Sequence, residues 1–164
     1  MILKKSYLLE LQNLNLTISN SLILNNISFA LKKNEILGIV GESGSGKSIT
    51  AFSILSLINS SKIERSGKIF LKNIRIDNLS TKELEKIRGK EISIIFQEPM
   101  SSLNPTMKCG KQIEEIVSKH CFLKGPKIKD RVNELLKMVQ LSKEANLYNK
   151  YPFQLSGGQQ QRLM

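Results

Sequence analysis

Cysteine, histidine and long apolar runs are all scarce in these 164 residues. The two cysteines, Cys109 and Cys121, are too few for a disulfide framework or a four-thiolate metal site. His120 stands alone, which excludes histidine-pair chemistry. No apolar run approaches the roughly 18–20 residues that a membrane helix needs. Residues 1–7 have no apolar h-region and no small-residue cleavage site, so no signal peptide is expected. Acidic residues are also in deficit. Fourteen Asp and Glu stand against 25 Lys and Arg, a formal net charge of +11. Nucleic acid is one reading of such a balance. However, only five of the cations are Arg, the residue that base readout favours, and no block of five like charges occurs. Most lysines are therefore expected on a solvated face, and no direct nucleic-acid partner is expected.

What remains suits a globular chain of one domain, or one domain with a small subdomain. It is 40% hydrophobic and 24% charged. Residues 8–31 predict two or three strands. Leu9, Leu11, Leu14 and Leu16 alternate imperfectly with polar neighbours, and turn clusters fall at 19–21 and 25–26. Lys33-Asn34 predicts a turn in which Asn34 takes a positive φ. Residues 35–40 (Glu-Ile-Leu-Gly-Ile-Val) and 91–96 (Glu-Ile-Ser-Ile-Ile-Phe) read as strands buried on both faces. Residues 49–58 have the apolar content and length of a helix. A small hairpin is expected over 67–76. A helix capped by Ser80 and Glu83 should follow and stop near Arg88, with Gly89 after it. Ile128, Val132, Leu135, Leu136 and Val139 mark one face of a later helix.

Two strings carry chemistry. Residues 41–48 fit G-x-x-x-x-G-K-[ST] between a predicted strand and a predicted helix. A diphosphate lying against backbone requires Cβ-free positions, here Gly41, Gly44 and Gly46. Successive N–H groups and the following helix start then point at phosphate oxygens. Lys47 adds a point charge for the β- and γ-phosphates, and the Ser48 hydroxyl can ligate Mg²⁺. The second string, residues 155–162 (Leu-Ser-Gly-Gly-Gln-Gln-Gln-Arg), reads as a hydroxyl, two glycines and a row of amides at a helix start. Such a start either holds an anion or simply uses Ser156 as its N-cap.

With Phe96-Gln97-Glu98-Pro99 between them, these strings resemble the nucleotide-binding domain of ABC transporters. Residues 95–105 (Ile-Phe-Gln-Glu-Pro-Met-Ser-Ser-Leu-Asn-Pro) are similar to the peptide-importer branch, which includes oligopeptide, dipeptide, nickel, glutathione and microcin C types. The resemblance spans essentially the whole chain. It implies an α/β P-loop NTPase fold, incomplete here, with an N-terminal antiparallel β part and an α-helical subdomain. Residues 1–98 would form the nucleotide-binding core and 99–164 the helical subdomain. It implies ATP and Mg²⁺ as cofactors. Gly41, Ser43, Gly44, Ser45, Gly46, Lys47 and Ser48 would hold phosphates, with Ser48 and Gln97 at the metal. Gln97 would also touch the attacking water and sense the membrane subunits. Leu155, Ser156, Gly157, Gly158 and Gln159 would form the signature that meets ATP held by a second nucleotide-binding domain in a head-to-tail dimer. Transmembrane permease subunits would be the other partners, placing the chain in the cytoplasm on the inner face of the membrane.

The sequence also departs from that family. Ile18 stands near the site of the family's adenine-stacking aromatic, Tyr7 does not replace it, and Asn34 occupies a family glycine position. After Arg162 the family continues into a strand ending in the Walker B Asp and the catalytic Glu, then a D-loop and a switch His. None has a counterpart here, and neither Glu98 nor His120 substitutes. Hydrolysis by these residues alone is expected to be negligible, and strands 35–40 and 91–96 are expected to have open apolar edges. A domain cut short, a decayed gene product and a piece of a split or tandem protein all fit. The alternative function is a non-hydrolysing nucleotide-binding or partner-binding remnant.

Overall fold

In the computed structural model, residues 7–58, 62–97, 102–141 and 146–164 are described. The chain divides into two compact units, residues 1–88 and 89–164. Residues 1–6 and residues 98–101 of the 95–105 string lie outside the described residues.

The first unit is built on a four-stranded antiparallel sheet in the order β2-β1-β3-β4, formed by β1 (Leu9–Ile18), β2 (Ser21–Leu31), β3 (Ile63–Leu71) and β4 (Ile74–Arg75). Ser19 and Asn20 both take positive φ, 48° and 66°, and so do Lys72 and Asn73, 50° and 65°. Two consecutive residues of that kind twist a hairpin in the same sense as its strands. They join β1 to β2 and β3 to β4, and the second gives the hairpin expected within 67–76. The imperfect alternation of β1 has a structural cause. Its register slips between Gln12 and Asn15 against β3 and between Leu11 and Leu14 against β2. Asn13 sits at φ 50° in this bulge. The extra residue switches parity, so Leu9 and Leu11 face the core before it and Leu14 and Leu16 after it, all four buried. Asparagines secure the bulge. Asn13 Nδ2 donates to Asn26 Oδ1 at 2.6 Å, and Asn26 N–H donates to Asn15 Oδ1 at 2.8 Å.

Leu24, Ile69, Leu71 and Ile76 join the β1 leucines inside, with Ile54, Leu55 and Leu84 from the helical segments. Those segments are α1 (Lys47–Ile54) and α2 (Thr81–Ile87). The α2 ends match expectation: Ser80 and Glu83 form the reciprocal capping box, and Gly89 follows at φ 79°. Asn34 has the expected positive φ, 62°. Helix α1 is displaced from the expected 49–58, starting at Lys47 and ending at Ile54.

The two inward strands of the sequence reading do not form. Residues 35–40 carry no strand assignment, and Ile36 and Val40 are 98% and 93% exposed. Residues 91–96 carry only an isolated bridge at Ile92, with Ile95 71% exposed. The physical reason is that a strand apolar on both faces needs neighbours on its edges and layers above and below. Among the described residues, β1–β4 pair with one another and none pairs with 35–40. Composition specifies the preference for a strand but cannot provide its partner.

The second unit is helical: α3 (Cys109–Cys121), α4 (Pro126–Met138) and α5 (Gly157–Leu163), with short 3₁₀ turns at Leu147–Asn149 and Pro152–Gln154. Its core is Cys109, Val117, Val132, Leu136, Leu141, Leu147 and Leu155. Ile128, Leu135 and Val139 pack against it, as the helical spacing predicts.

Gly67 explains how β3 passes the bulge. It has φ 101°, and a Cβ there would lie 2.5 Å from the Asn13 carbonyl oxygen and 2.7 Å from Leu14 Cα. Both obstacles are backbone and cannot rotate away. Gly67→Ala is expected to destabilise the chain by about 1–3 kcal/mol. Urea unfolding followed by circular dichroism checks this. An unchanged midpoint would mean that the bulge can close without the glycine.

Candidate functional site

The loop of residues 41–46 runs over the N-terminal end of α1. Gly44 has φ 81°, so its backbone takes the left-handed form that glycine adopts freely. Gly46 has φ 91° and is buried, and a Cβ would come within 2.7 Å of Leu24 Cδ2 and 3.3 Å of the Ile23 carbonyl. The loop thus seats directly on β2 at this residue. At Gly41 a Cβ would fall 2.7 Å from Ser45 Oγ. The loop closes on itself through Ser45 N–H, which donates to the Glu42 carbonyl at 3.2 Å.

Lys47 folds back over this loop. Its ammonium donates to the Gly41 carbonyl at 2.8 Å, to the Glu42 carbonyl and to Ser45 Oγ. The cation therefore rests on loop carbonyls, where the motif reading put it on phosphate oxygens. Ser48 is exposed in the first turn of α1. No side chain caps this helix and no acid lies in its first turn, so its leading N–H groups and positive dipole end are not neutralised locally.

The other end of α1 is held by two arginines. Arg65 donates to the Ser53 carbonyl at 3.3 Å, to Ser56 Oγ at 2.9 Å and to the Asp77 carbonyl at 2.6 Å. Arg88 donates to the Leu55 carbonyl at 2.9 Å and the Ser56 carbonyl at 2.7 Å. Leu55 and Ser56 follow the last helical residue, so the two arginines grip the turn that ends α1. Asp77 is anchored in turn, accepting from Ile69 N–H at 2.8 Å and from Arg75. Burial pushes its carboxyl pKa up, but these donors outweigh that and bring it below the usual aspartate value. Within α1, Thr50 and Ser53 are buried and return their hydroxyls to the Gly46 and Ile49 carbonyls at 2.9 and 2.8 Å.

The remaining candidates lie in the second unit. Gln97 is exposed at the edge of a described segment. Leu155 is buried, and Ser156 caps α5. Ser156 N–H donates to Gln159 Oε1 at 2.8 Å, and Gln159 N–H donates to Ser156 Oγ at 3.3 Å. Of the two sequence readings of this string, the N-cap is realised. Yet Gly157 and Gly158 are exposed, neither has positive φ, and a Cβ on either would meet nothing within 4 Å. Nothing inside the unit calls for glycine at these two helical positions.

Two residues of the string beyond the five candidates hold the 155–159 segment in place. Gln160 is 3% exposed, and its Nε2 donates to the Pro152 carbonyl at 2.7 Å and the Leu155 carbonyl at 3.3 Å. Arg162 donates to the Val139 and Gln140 carbonyls at 3.4 and 3.2 Å, tying α5 to the end of α4. Tyr148 donates its hydroxyl to Glu114, while its ring lies so close to Gly110 that a Cβ there would meet it at 2.3 Å. Gln160 and Arg162 were visible only as part of a polar row, and long-range partners such as Tyr148 and Glu114 leave no local pattern.

Burial and the Glu114 carboxylate push the Tyr148 hydroxyl up to about 12. The folded chain therefore retains a proton that the unfolded chain has lost above the ordinary tyrosine value of 10.0. Stability associated with Tyr148 is complete below pH 10 and is expected to fall as pH rises towards 12. Tyr148→Phe should remove this component and flatten that part of the profile, as read from urea midpoints at successive pH values. An identical slope in both proteins would disprove the coupling.

A profile of the ABC transporter family matches residues 24–164. The oligopeptide transport ATP-binding protein OppD of Bacillus subtilis is 45% identical over 139 residues, covering 84% of this chain and 39% of OppD. A Brucella melitensis protein named for peptide import and ATP binding is 39% identical over 166 residues, covering 99% of this chain and 50% of that protein. The chain therefore spans about half the length of the curated relatives it matches or less. Among solved structures, the dimeric ATP-binding cassette MJ0796 in a post-hydrolysis state with ADP and Pi superposes with TM-score 0.76 at 31% identity, covering 94% of this chain and 66% of that one. The cassette cbiO1 of Clostridium perfringens gives TM-score 0.73 at 27% identity, covering 97% and 59%. The expected P-loop nucleotide-binding fold is thus present in part, as an antiparallel sheet with helices. With the profile covering everything from β2 onward, the chain belongs to the ABC transporter family.

Proposed function

We propose that this chain is the nucleotide-holding and signature-bearing portion of an ATP-binding subunit that energises import of peptides or similar small solutes. The observation that carries the reading is the loop at 41–48. Its glycine-dependent backbone, folded-back ammonium and uncapped helix start gather a cation and a positive helix end at one loop. Such a loop fits an anion of phosphate shape. The names of the relatives supply the transport direction and substrate class.

In this reading Gly41, Ser43, Gly44, Ser45 and Gly46 present backbone N–H groups to the phosphates. Lys47 exchanges its loop carbonyls for phosphate oxygens. Ser48 and Gln97 would hold Mg²⁺, which when bound neutralises charge on the β- and γ-phosphates. Residues 1–98 serve as the nucleotide core and 99–164 as the helical subdomain. Leu155, Ser156, Gly157, Gly158 and Gln159 face ATP carried by a second nucleotide-binding domain, and the glycines at 157 and 158 let that phosphate approach the backbone. Permease subunits in the membrane would be the remaining partners. Among the described residues no helix is long and apolar enough to cross a membrane.

Fluorescent ATP titrated with Mg²⁺ tests the first half of this reading. Saturable binding is expected, and Lys47→Ala should weaken it roughly tenfold or more, since a charge-assisted contact is worth about 1.5–3 kcal/mol. Equal affinity of both proteins would refute the assignment of the loop. The second half is tested by Gly158→Ala. In α5 this change should stabilise by up to about 1 kcal/mol, because alanine is the better helix former. It should leave ATP affinity intact and abolish ATP-dependent association with a complete cassette, measured by light scattering. Association at the parental level would disprove the signature role.

A further inference from the structure

The turn between α3 and α4 breaks three local rules at once. Phe122 closes α3 in the left-handed region, φ 53° and ψ 24°, a conformation that usually falls to glycine at a helix end and rarely to a bulky side chain. Its ring is 83% exposed rather than packed into the core of the unit. Lys127 and Lys129 then occupy the first turn of α4, where the helix dipole favours acids, and no acid or capping side chain is there to offset them before Asp130. Lys119 and Lys124 flank the same turn and are exposed. Lys90 approaches from the start of the unit, its ammonium 5.6 Å from the Phe122 ring centre.

Some of this charge is answered. Lys129 lies over the Tyr148 ring at 5.4 Å and interacts with the Glu114 carboxylate, and the acids nearest in sequence are Asp130 beside Lys129 and Glu91 beside Lys90. Between residues 116 and 129 there is no acid at all. What is left is a projecting aromatic ring with one ammonium near its face and further exposed lysines along the same turn. A solvated lysine face has no need of the ring, and a core residue would not be turned outward. Polyanion binding through charge alone would likewise leave the ring without a role. An anionic bilayer answers both parts: its headgroups take the lysines, and the acyl boundary takes the ring.

We infer that the α3–α4 turn, centred on Phe122, Lys124 and Lys127, is a membrane-surface contact that binds anionic lipid headgroups directly. This goes beyond attachment through permease subunits and does not depend on nucleotide binding. One ring and a few lysines give weak, reversible binding, suited to orienting a subunit held near the membrane by other partners.

The test is flotation of the purified chain with vesicles, which separates lipid binding from aggregation because aggregates do not float. The chain is expected to float with phosphatidylcholine vesicles containing about one third phosphatidylglycerol, not with phosphatidylcholine alone, and to be released at about 1 M salt. Lys124→Glu with Lys127→Glu should lower the partition coefficient roughly 25-fold or more, about fivefold per lysine lost. Phe122→Gly should lower it about fivefold, while raising the melting temperature because glycine suits the left-handed position. That opposition separates the proposal from a structural role for Phe122, in which melting temperature would fall. Three results would overturn it: equal flotation of either variant and the parent, equal binding to neutral vesicles, or single-stranded DNA binding as tight as the lipid and unaffected by Phe122→Gly. The last outcome would make the patch a polyanion site.

Discussion

Helix α1 is held by its carbonyl end so that its amide end can remain open. Arg65 and Arg88 reach the carbonyls of Ser53, Leu55 and Ser56, at and just beyond the last turn of the helix. Charged donors on those carbonyls also favour the dipole in the direction that makes the opposite end electropositive. The arginines are fixed in turn. Arg65 is tied to the Asp77 backbone, and Asp77 is tied by its carboxylate to β3 and Arg75. Gly46 meanwhile seats the loop on β2. A phosphate cradle needs donors that stay in place before any anion arrives, because ordering them on binding would cost affinity. The sheet, the two arginines and the glycine provide that order from three directions.

The second unit reaches a similar end by different means. Its segment 155–159 is short and exposed, and its own capping box uses the Ser156 and Gln159 side chains. Position therefore comes from behind: Gln160 holds the preceding turn by two carbonyls, and Arg162 grips the end of α4. The Gln160 Oε1 is buried without a hydrogen-bond partner among the described residues. A buried, half-satisfied amide carries a real cost. It is tolerated here where the donating half fixes the backbone just ahead of Ser156.

Sequence made the local features legible and left the nonlocal ones obscure. Capping at Ser80 and Ser156, the positive φ of Asn34, the 67–76 hairpin and the apolar face of α4 each depend on residues within a few positions of one another, and each appears in the structure. The broken alternation of β1 was visible as a pattern, but its cause required Gly67 and Asn26, remote in sequence. Residues 35–40 and 91–96 failed for the same reason in stronger form, since a doubly buried strand is a property of a whole sheet. In the candidate site, the glycine-rich form of the loop was legible because glycines and a lysine act through neighbouring backbone. The arginine clamp and the Gln160 hold were not, because nothing in their spacing encodes the carbonyls they reach.

The residues that obey local rules and those that break them divide along the line between structure and function. Gly67 is a glycine that backbone contacts require, so it says only how β3 passes β1. Gly157 and Gly158 are glycines that no contact among the described residues requires, placed in a helix where they lower stability. Phe122 is an aromatic in a glycine conformation, with its ring in solvent and a lysine as its only aromatic-face neighbour among the described residues. Among the described residues no contact calls for the two glycines, and the Phe122 ring has one, with the Lys90 ammonium. A sequence whose caps, turns and core otherwise agree with one another has no general looseness to explain them. On the proposed readings, what retains them approaches from outside: a phosphate close to backbone at 157–158, and an anionic lipid surface at 122.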